Sequence, residues 1–274
     1  QTIITGGSSH TDITYASDGS ADGVKNFYAV MTDQYGNASS CVDISLNYTL
    51  DTSLPSVAIS VSPVISDSND SAYTFSGSCS ENGREVTVSV GGSVTPVTQP
   101  TCTLNAWSAT VNASGLADAA SVTILADHDD AASNNAPQAS VNVVKDTTAP
   151  TNPEVLAFTW TLSSPSNGST SNDNTPILTL TGAASENGGA VQVHDNLACS
   201  SAQGASQTIA AGSSTHNDIT YATDGSDDGV INFYVVVADQ YGNASSCVNI
   251  SRSYTLDTTI PTVTITSNPA IKSS

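Results

Sequence analysis

Basic residues are scarce in this chain. Five Lys and Arg stand against 25 Asp and Glu in 274 residues, a formal charge of −20. A polyanion needs a basic footprint, so nucleic acid is not an expected partner. Glutamate is scarce as well, with four copies against 21 of aspartate. Helical surfaces usually favour Glu, whereas Asp is a turn residue and an oxygen ligand for hard cations. Aromatics make up only 5%, which argues against a row of sugar-stacking rings. No apolar run approaches the ~20 residues of a membrane span, and no signal peptide is visible. No CxxC pair and no GxSxG occur, and no helical period is sustained.

What is present is Ser, Thr, Val and Ala, punctuated by Gly, Asn and Asp, a composition of strands and turns. One stretch organises it: YTLDTSLP at Tyr48–Pro55, VVKDTTAP at Val143–Pro150 and YTLDTTIP at Tyr254–Pro261. Each is a strand-like run ending in Asp, two small polar residues, an apolar residue and Pro, which ends a ladder while keeping the chain extended. The aspartates Asp51, Asp146 and Asp257 lie 95 and 111 residues apart, each the size of a small β-sandwich. Residues 1–68 laid over 207–274 without a gap give 44 identities. Two unlike modules therefore alternate. Residues 1–51 read as the C-terminal half of a type A module, 52–146 as type B, 147–257 as type A, and 258–274 as the first strand of a further type B module. The stretch reads as an excerpt of a tandem array.

Alternation and turn signals predict seven short strands per module. In type B they are Ser56–Pro63, Ala72–Ser80, Glu85–Val90, Ser93–Val97, Trp107–Val111, Ser121–Ala126 and Ala139–Lys145. In type A they are Val155–Thr161, Ile177–Thr181, Ala190–His194, Ser206–Ala210, Asp218–Tyr221, Val230–Ala238 and Ser246–Leu256. The fold class expected is all-β: Greek-key immunoglobulin-like sandwiches arranged end to end.

TFSGSCSENGREVTVSV at Thr74–Val90, TCTLNAWSATVNASGL at Thr101–Leu116 and FYVVVADQYGNASSC at Phe233–Cys247 resemble the tandem bacterial Ig-like repeats of large secreted adhesins and surface fibres. The resemblance covers essentially the whole chain. It implies a structural segment of an extracellular fibre or adhesin stalk, a spacer or filament and not a catalyst, at the bacterial cell surface. Its partners would be neighbouring modules of the same chain and possible copies in a laterally associating, S-layer-like filament. Carbohydrate-binding accessory modules of a secreted enzyme are the alternative, with Trp107 and Trp160 as core aromatics or sugar platforms. Two intramodule disulfides, Cys79–Cys102 and Cys199–Cys247, are expected, against a rival reading of five reduced thiols, and imply an oxidising compartment. Cys41 repeats Cys247 and is expected to find no partner here.

Calcium is the one cofactor the acids suggest. In such a sandwich the loop before the last strand returns to the pole where the chain enters. That would bring Asp239 to Asp146 and Asp127 to Asp51, with Asp33 and Asp257 as repeat equivalents, and Asp173 and Glu186 within reach. The rival reading has Asp33 and Asp239 merely holding the DQYG turn through their own backbone. Type B expands that turn into Ala126–Gln138, a contact site or a longer loop. DGSADG at Asp18–Gly23 and DGSDDG at Asp224–Gly229 mimic the opening of an EF-hand loop, but Ala29 or Val235 stands where its bidentate acid belongs. His10 and His216 precede Asp12 and Asp218 by two residues with no nucleophile motif, and read as surface or edge histidines.

Overall fold

A computed structural model describes residues 9–266. The chain divides into two compact bodies, and the break falls between Lys145 and Asp146. The first begins with a hairpin of β1 (Gly23–Ala29) and β2 (Val42–Leu50). Its sandwich follows: β3 (Val57–Val61), β4 (Tyr73–Cys79), β5 (Val86–Val90), β6 (Ala106–Val111), β7 (Ala119–His128) and β8 (Ala139–Lys145). They form two antiparallel sheets, β3-β4-β6 and β5-β7-β8. The chain crosses between the sheets from β4 to β5, β5 to β6 and β6 to β7, the crossover of an immunoglobulin-type Greek key.

Period-2 patterning puts Val86, Val88 and Val90 of β5 on the inner face, opposite Tyr73 and Phe75 of β4 and Trp107 of β6. Phe75 stacks on Tyr73 at 5.7 Å between ring centroids and meets Trp107 edge-on at 5.8 Å. Each such ring buried contributes roughly 1.5–3 kcal/mol through area removed from water. Trp107 is a core residue, its indole N–H donating to the carbonyls of Ala58 and Ser78.

The expected strand Ser93–Val97 does not form. Gly91 and Gly92, both at positive φ, turn the chain so that Val94 bonds straight back to Val90. The Gln99 side chain then replaces the missing strand, accepting from Val88 N (2.9 Å) and donating to Val88 O (3.2 Å).

The second body opens with a short helix, α1 (Asn152–Ala157), followed by β9 (Thr159–Ser164), β10 (Thr170–Ser171), β11 (Ile177–Thr181), β12 (Ala190–His194), β13 (Ala202–Thr208), β14 (Ser214–His216), β15 (Gly229–Ala238) and β16 (Val248–Leu256). One sheet is β9-β11-β14; the other is β10-β16-β15-β12-β13, with β10 parallel to β16. The core takes Trp160, Leu178 and Leu180 from the smaller sheet and Val191, Phe233, Val235 and Tyr254 from the larger.

Two expectations fail here. Val155 lies in α1, where a strand was expected, because Thr151 and Glu154 form a capping box and Pro153 fits the first helical turn. The fifth strand is Ser214–His216 instead of Asp218–Tyr221: Asp218 turns its carboxylate to Ala205 N (2.7 Å), outside any ladder. Thr258–Thr266 carries no strand, and the remainder of the strand expected in 258–274 lies outside the described residues. Among the described residues no helix is long and apolar enough to cross a membrane.

Both sandwiches carry a disulfide. Cys79 at the end of β4 bonds Cys102, Cα to Cα 5.9 Å, and Cys199 after β12 bonds Cys247 before β16, 5.8 Å. Cys41 is exposed and free.

Candidate functional site

The functional residues gather where each last strand runs out, at the Asp-Thr-Thr or Asp-Thr-Ser stretch. Two side-chain devices hold that exit. The first is the sixth-strand loop: Asp228 Oδ1 accepts from Thr258 N and Oγ1 (both 2.7 Å), and Oδ2 accepts from Thr259 N (3.1 Å) and Oγ1 (2.6 Å). Gly225 N donates back to Thr258 Oγ1 at 3.1 Å. Four donors on one carboxylate, the Thr259 hydroxyl foremost, hold Asp228 down to about 2. Asp22 repeats the arrangement on Thr52 and Ser53, with its carboxyl lowered chiefly by the Ser53 hydroxyl.

The DGSxDG motif is thus a clamp built on its fifth residue. Its first aspartates, Asp18 and Asp224, cap their own loops through Ser20 and Ser226. The EF-hand comparison put Asp22 and Asp228 at the fifth position of a metal loop, whereas their carboxylates grip the joint hydroxyls. The signal was present as the hydroxyl pair that follows every joint aspartate.

The second device is the turn before the last strand. Asp239 Oδ1 accepts from Tyr241 N (2.7 Å) and Asn243 N (3.0 Å), and Oδ2 accepts from Asn243 Nδ2 (2.7 Å). The same Nδ2 reaches the Asp146 carbonyl at 2.9 Å. Asp33 holds its own turn identically, through Tyr35 N, Asn37 N and Asn37 Nδ2. In the first sandwich the matching residue is Asp130, which binds Asn134 N and Nδ2, and Asn134 Nδ2 reaches the Asp51 carbonyl at 3.0 Å. The Asn37 and Asn134 side chains are the leading cause holding Asp33 and Asp130 below the usual carboxylate range.

This corrects the placing of Asp127. It lies in β7 and accepts from Gln138 Nε2 (3.0 and 2.9 Å); the group that meets Asp51 is the Asn134 amide. Asp51 and Asp146 cap their own joints through Ser53 N (3.2 Å) and Thr148 N (3.0 Å). Asp257 enters through its backbone, N donating to Ser171 O at 2.9 Å. Asp173 stays with Ser164 and Thr175.

Asp146 and Asp239 do share one feature. With Glu154, Glu186 and Ser185 they line a cleft of about 220 Å³ in the second body. Glu186 is buried there, and its carboxyl is pushed up, first by burial and then by the charges of Asp239, Glu154 and Asp146. Glu154 is partly committed to the α1 cap, accepting from Thr151 N at 2.7 Å. The donors are all oxygen, which suits a hard cation. Among the described residues, however, no three acidic, imidazole or thiolate side chains stand close enough to hold a metal in this arrangement.

His216 was expected at the surface or at a sheet edge; it lies on β14, the edge strand of its sheet, but is fully buried, with neither ring nitrogen hydrogen-bonded to protein, and burial pushes its imidazole pKa down. His10 is exposed, 3.8 Å from Asp12.

No family model and no curated protein matches the chain. Among solved structures it is similar to a Ca2+-stabilized adhesin with which an Antarctic bacterium binds ice (20% identity, TM-score 0.42, 86% of this chain and 57% of that one). It is similar also to a tetra-tandem repeat from the extending region of a large adhesion protein (21%, TM-score 0.30, again 86% and 57%). Fibronectin(III)-like modules of Clostridium thermocellum CbhA match at 13% identity and TM-score 0.38, over 74% of this chain and 94% of that one. The chain spans little more than half the length of the first two.

The Asp228 clamp has a signed pH dependence. A carboxyl depressed in the folded state contributes stability that is present above its unfolded value, near 3.9, and lost as pH falls towards 2. Asp228→Asn is therefore expected to lower the second body's melting temperature at pH 7. It should also make the decline between pH 4 and 2 shallower, though not flat, since Asp173 is depressed in the same body. Thermal melts at steps from pH 7 to 2 check this; an unchanged acid slope would detach the clamp from stability.

Proposed function

We propose that the chain is a structural segment of a long extracellular bacterial fibre or adhesin stalk, spacing or assembling its modules. The observation that supports this most is the recurrence of the same exit clamps. Asp22 and Asp228 grip a hydroxyl pair, and Asn134 and Asn243 grip the joint carbonyl, at strand ends up to 206 residues apart. Chemistry that recurs from one exit to another, and among the described residues converges on no reactive side chain, fits a device that fixes strand ends under tension. Two disulfides fit an oxidising, extracellular setting.

Calcium belongs to the same reading. Glu186, Asp146, Asp239 and Glu154 line one cleft and would have to draw together around the ion, since as they stand no three of them are close enough to hold it. When bound, the ion would supply the positive charge that the cleft lacks. Ionised Glu186 costs stability at neutral pH, because its folded-state pKa is raised, and a divalent cation would reverse that cost.

Extracellular modules bind calcium near 10⁻⁴ M, so ~10 mM calcium should stabilise the second body by about 2.7 kcal/mol. At 4–8 °C per kcal/mol this is a rise of about 11–22 °C in melting temperature. Glu186→Gln should abolish the rise, and magnesium should give little of it. Small-angle scattering with calcium and then chelator reports chain stiffness in parallel. Equal melting with and without calcium would remove the ion while leaving the spacer reading intact; pulling a single chain tests that reading directly, by the presence of two resolved unfolding steps.

A further inference from the structure

We infer that the first sandwich forms an internal cross-link of its own making, an amide between the Lys145 amine and the Asp118 carboxyl. Lys145 is the last residue of β8, and its side chain is 1% exposed. Its Nζ stands 3.4 Å from Asp118 Oδ1 and 3.8 Å from Asp70 Oδ2. The three residues come from separate segments. Asp118 precedes Ala119, the cross-strand partner of Lys145. Asp70 opens the short 3-10 helix Asp70–Ala72, and Ala113 N fixes it there by donating to the Asp70 carbonyl at 2.7 Å. Packing does not ask for a lysine at this place. In the second body the residue in the same register is Leu256, paired with Gly229 after Asp228, and it too is 1% exposed. An apolar residue therefore fills the position, and replacing a buried ion pair with one is commonly neutral or stabilising. Yet one of the five basic residues of the chain is spent here, in a core, against two acids.

An amine and two carboxyls held in this way are equipped to condense. Lys145 Nζ attacks the Asp118 carboxyl carbon, and Asp70, on the other side of the amine, carries the two protons that the nitrogen gives up to the departing oxygen. The Nζ–Cγ bond forms, one Asp118 C–O bond breaks, and an ammonium and a carboxylate become a neutral amide and one water. Nothing is oxidised and no co-reactant is needed. In dilute water such a condensation runs uphill, because both ions are well solvated. Here burial has stripped the ammonium of its water, and the fixed approach of the two groups acts as a high effective concentration. The bond closes the 27-residue interval that holds β7 and β8. A pull on the end of β8 then bypasses both strands and keeps about 90 Å of chain from being drawn out.

The bond is read by mass and stands or falls apart from the stalk reading. The test is the intact mass of the full chain, folded at neutral pH and then reduced and alkylated. The expected mass is one water below that of the sequence, and digestion should yield a branched peptide joining Lys145 to Asp118. Asp70→Ala should keep its fold in a thermal melt and carry the full mass. Lys145→Leu, which installs the residue type already packed at position 256, should fold and carry the full mass as well. In single-chain pulling it should release about 90 Å more chain from the first body than the parent does. A folded parent chain that stays at full mass on prolonged incubation would overturn the proposal. So would a missing water that maps to an Asp–Gly succinimide, such as at Asp22–Gly23, with no branched peptide.

Discussion

Replacing Gly77 with alanine is expected to unfold the first sandwich while leaving the second intact. Gly77 lies mid-strand in β4, paired with Ile59 on one side and Trp107 on the other. A Cβ there would stand 1.8 Å from the Ala58 carbonyl oxygen and 2.8 Å from Trp107 Cε2. Neither neighbour can yield cheaply. Ala58 O is backbone and accepts the Trp107 indole N–H, and Trp107 is wedged against Phe75. The added methyl must therefore break the β3–β4 ladder or expel the largest ring of the core. The cost should exceed the ~3 kcal/mol at which ordinary overpacking tops out. Gly115→Ala, where nothing lies within 4 Å, is the control and should be neutral. Denaturant melts of both variants are the measurement, and a Gly77→Ala midpoint within error of the parent would show that Trp107 has room to move.

Much of this fold could be read from period and punctuation. The runs Glu85–Val90 and Ala139–Val144 alternate cleanly because one face of each is buried, and they became β5 and β8. The 206-residue repeat foretold the hairpin, since identical residues gave identical register down to the bulge. What stayed hidden was chemistry that imitates something else. Gln99 does the work of a strand with one amide, leaving no alternation to read. Asp130 was missed because three acids crowd Asp127–Asp130 and because Ser133, at φ 69°, stands where the other turns have Gly36 and Gly242. The helix α1 buries only Val155 and shows no period, yet its T-x-x-E capping box was in plain view at Thr151–Glu154. His216 sits in a buried register position, one face with Ser214, which the lack of a nucleophile motif around it could not reveal.

The acidic chemistry divides along the same line. Asp239, Asp33 and Asp130 spend their oxygens on their own turns, and Asp22 and Asp228 spend theirs on the joint hydroxyls. An excess of Asp over Glu follows from this geometry, because the shorter side chain reaches a backbone N–H two to four residues away. Glu186 is the exception: buried, raised and facing three other carboxylates across a cleft. That contrast makes it the discriminating position for calcium.

Reduction is expected to destabilise the two bodies by different amounts and at different rates. The Cys79–Cys102 bond spans 23 residues and Cys199–Cys247 spans 48. On the chain-entropy account, closing loops of those lengths is worth about 3 and about 4 kcal/mol. At 4–8 °C per kcal/mol in a domain of this size, the first sandwich alone should lose about 15 °C on reduction, and the second at least as much. Access sets the order. Cys79 and Cys102 are buried in the core, so a thiolate reaches them only when β4 opens, whereas Cys199 and Cys247 sit half-exposed in loops. In native buffer, a water-soluble reductant followed by alkylation should therefore label Cys199 and Cys247 first. Cys79 and Cys102 should be labelled at a rate that rises steeply with denaturant. Cys41, already free, should be labelled at once and serves as the internal standard. Simultaneous labelling of both pairs, or melting temperatures that reductant leaves unmoved, would mean that the hydrophobic cores alone hold these sandwiches.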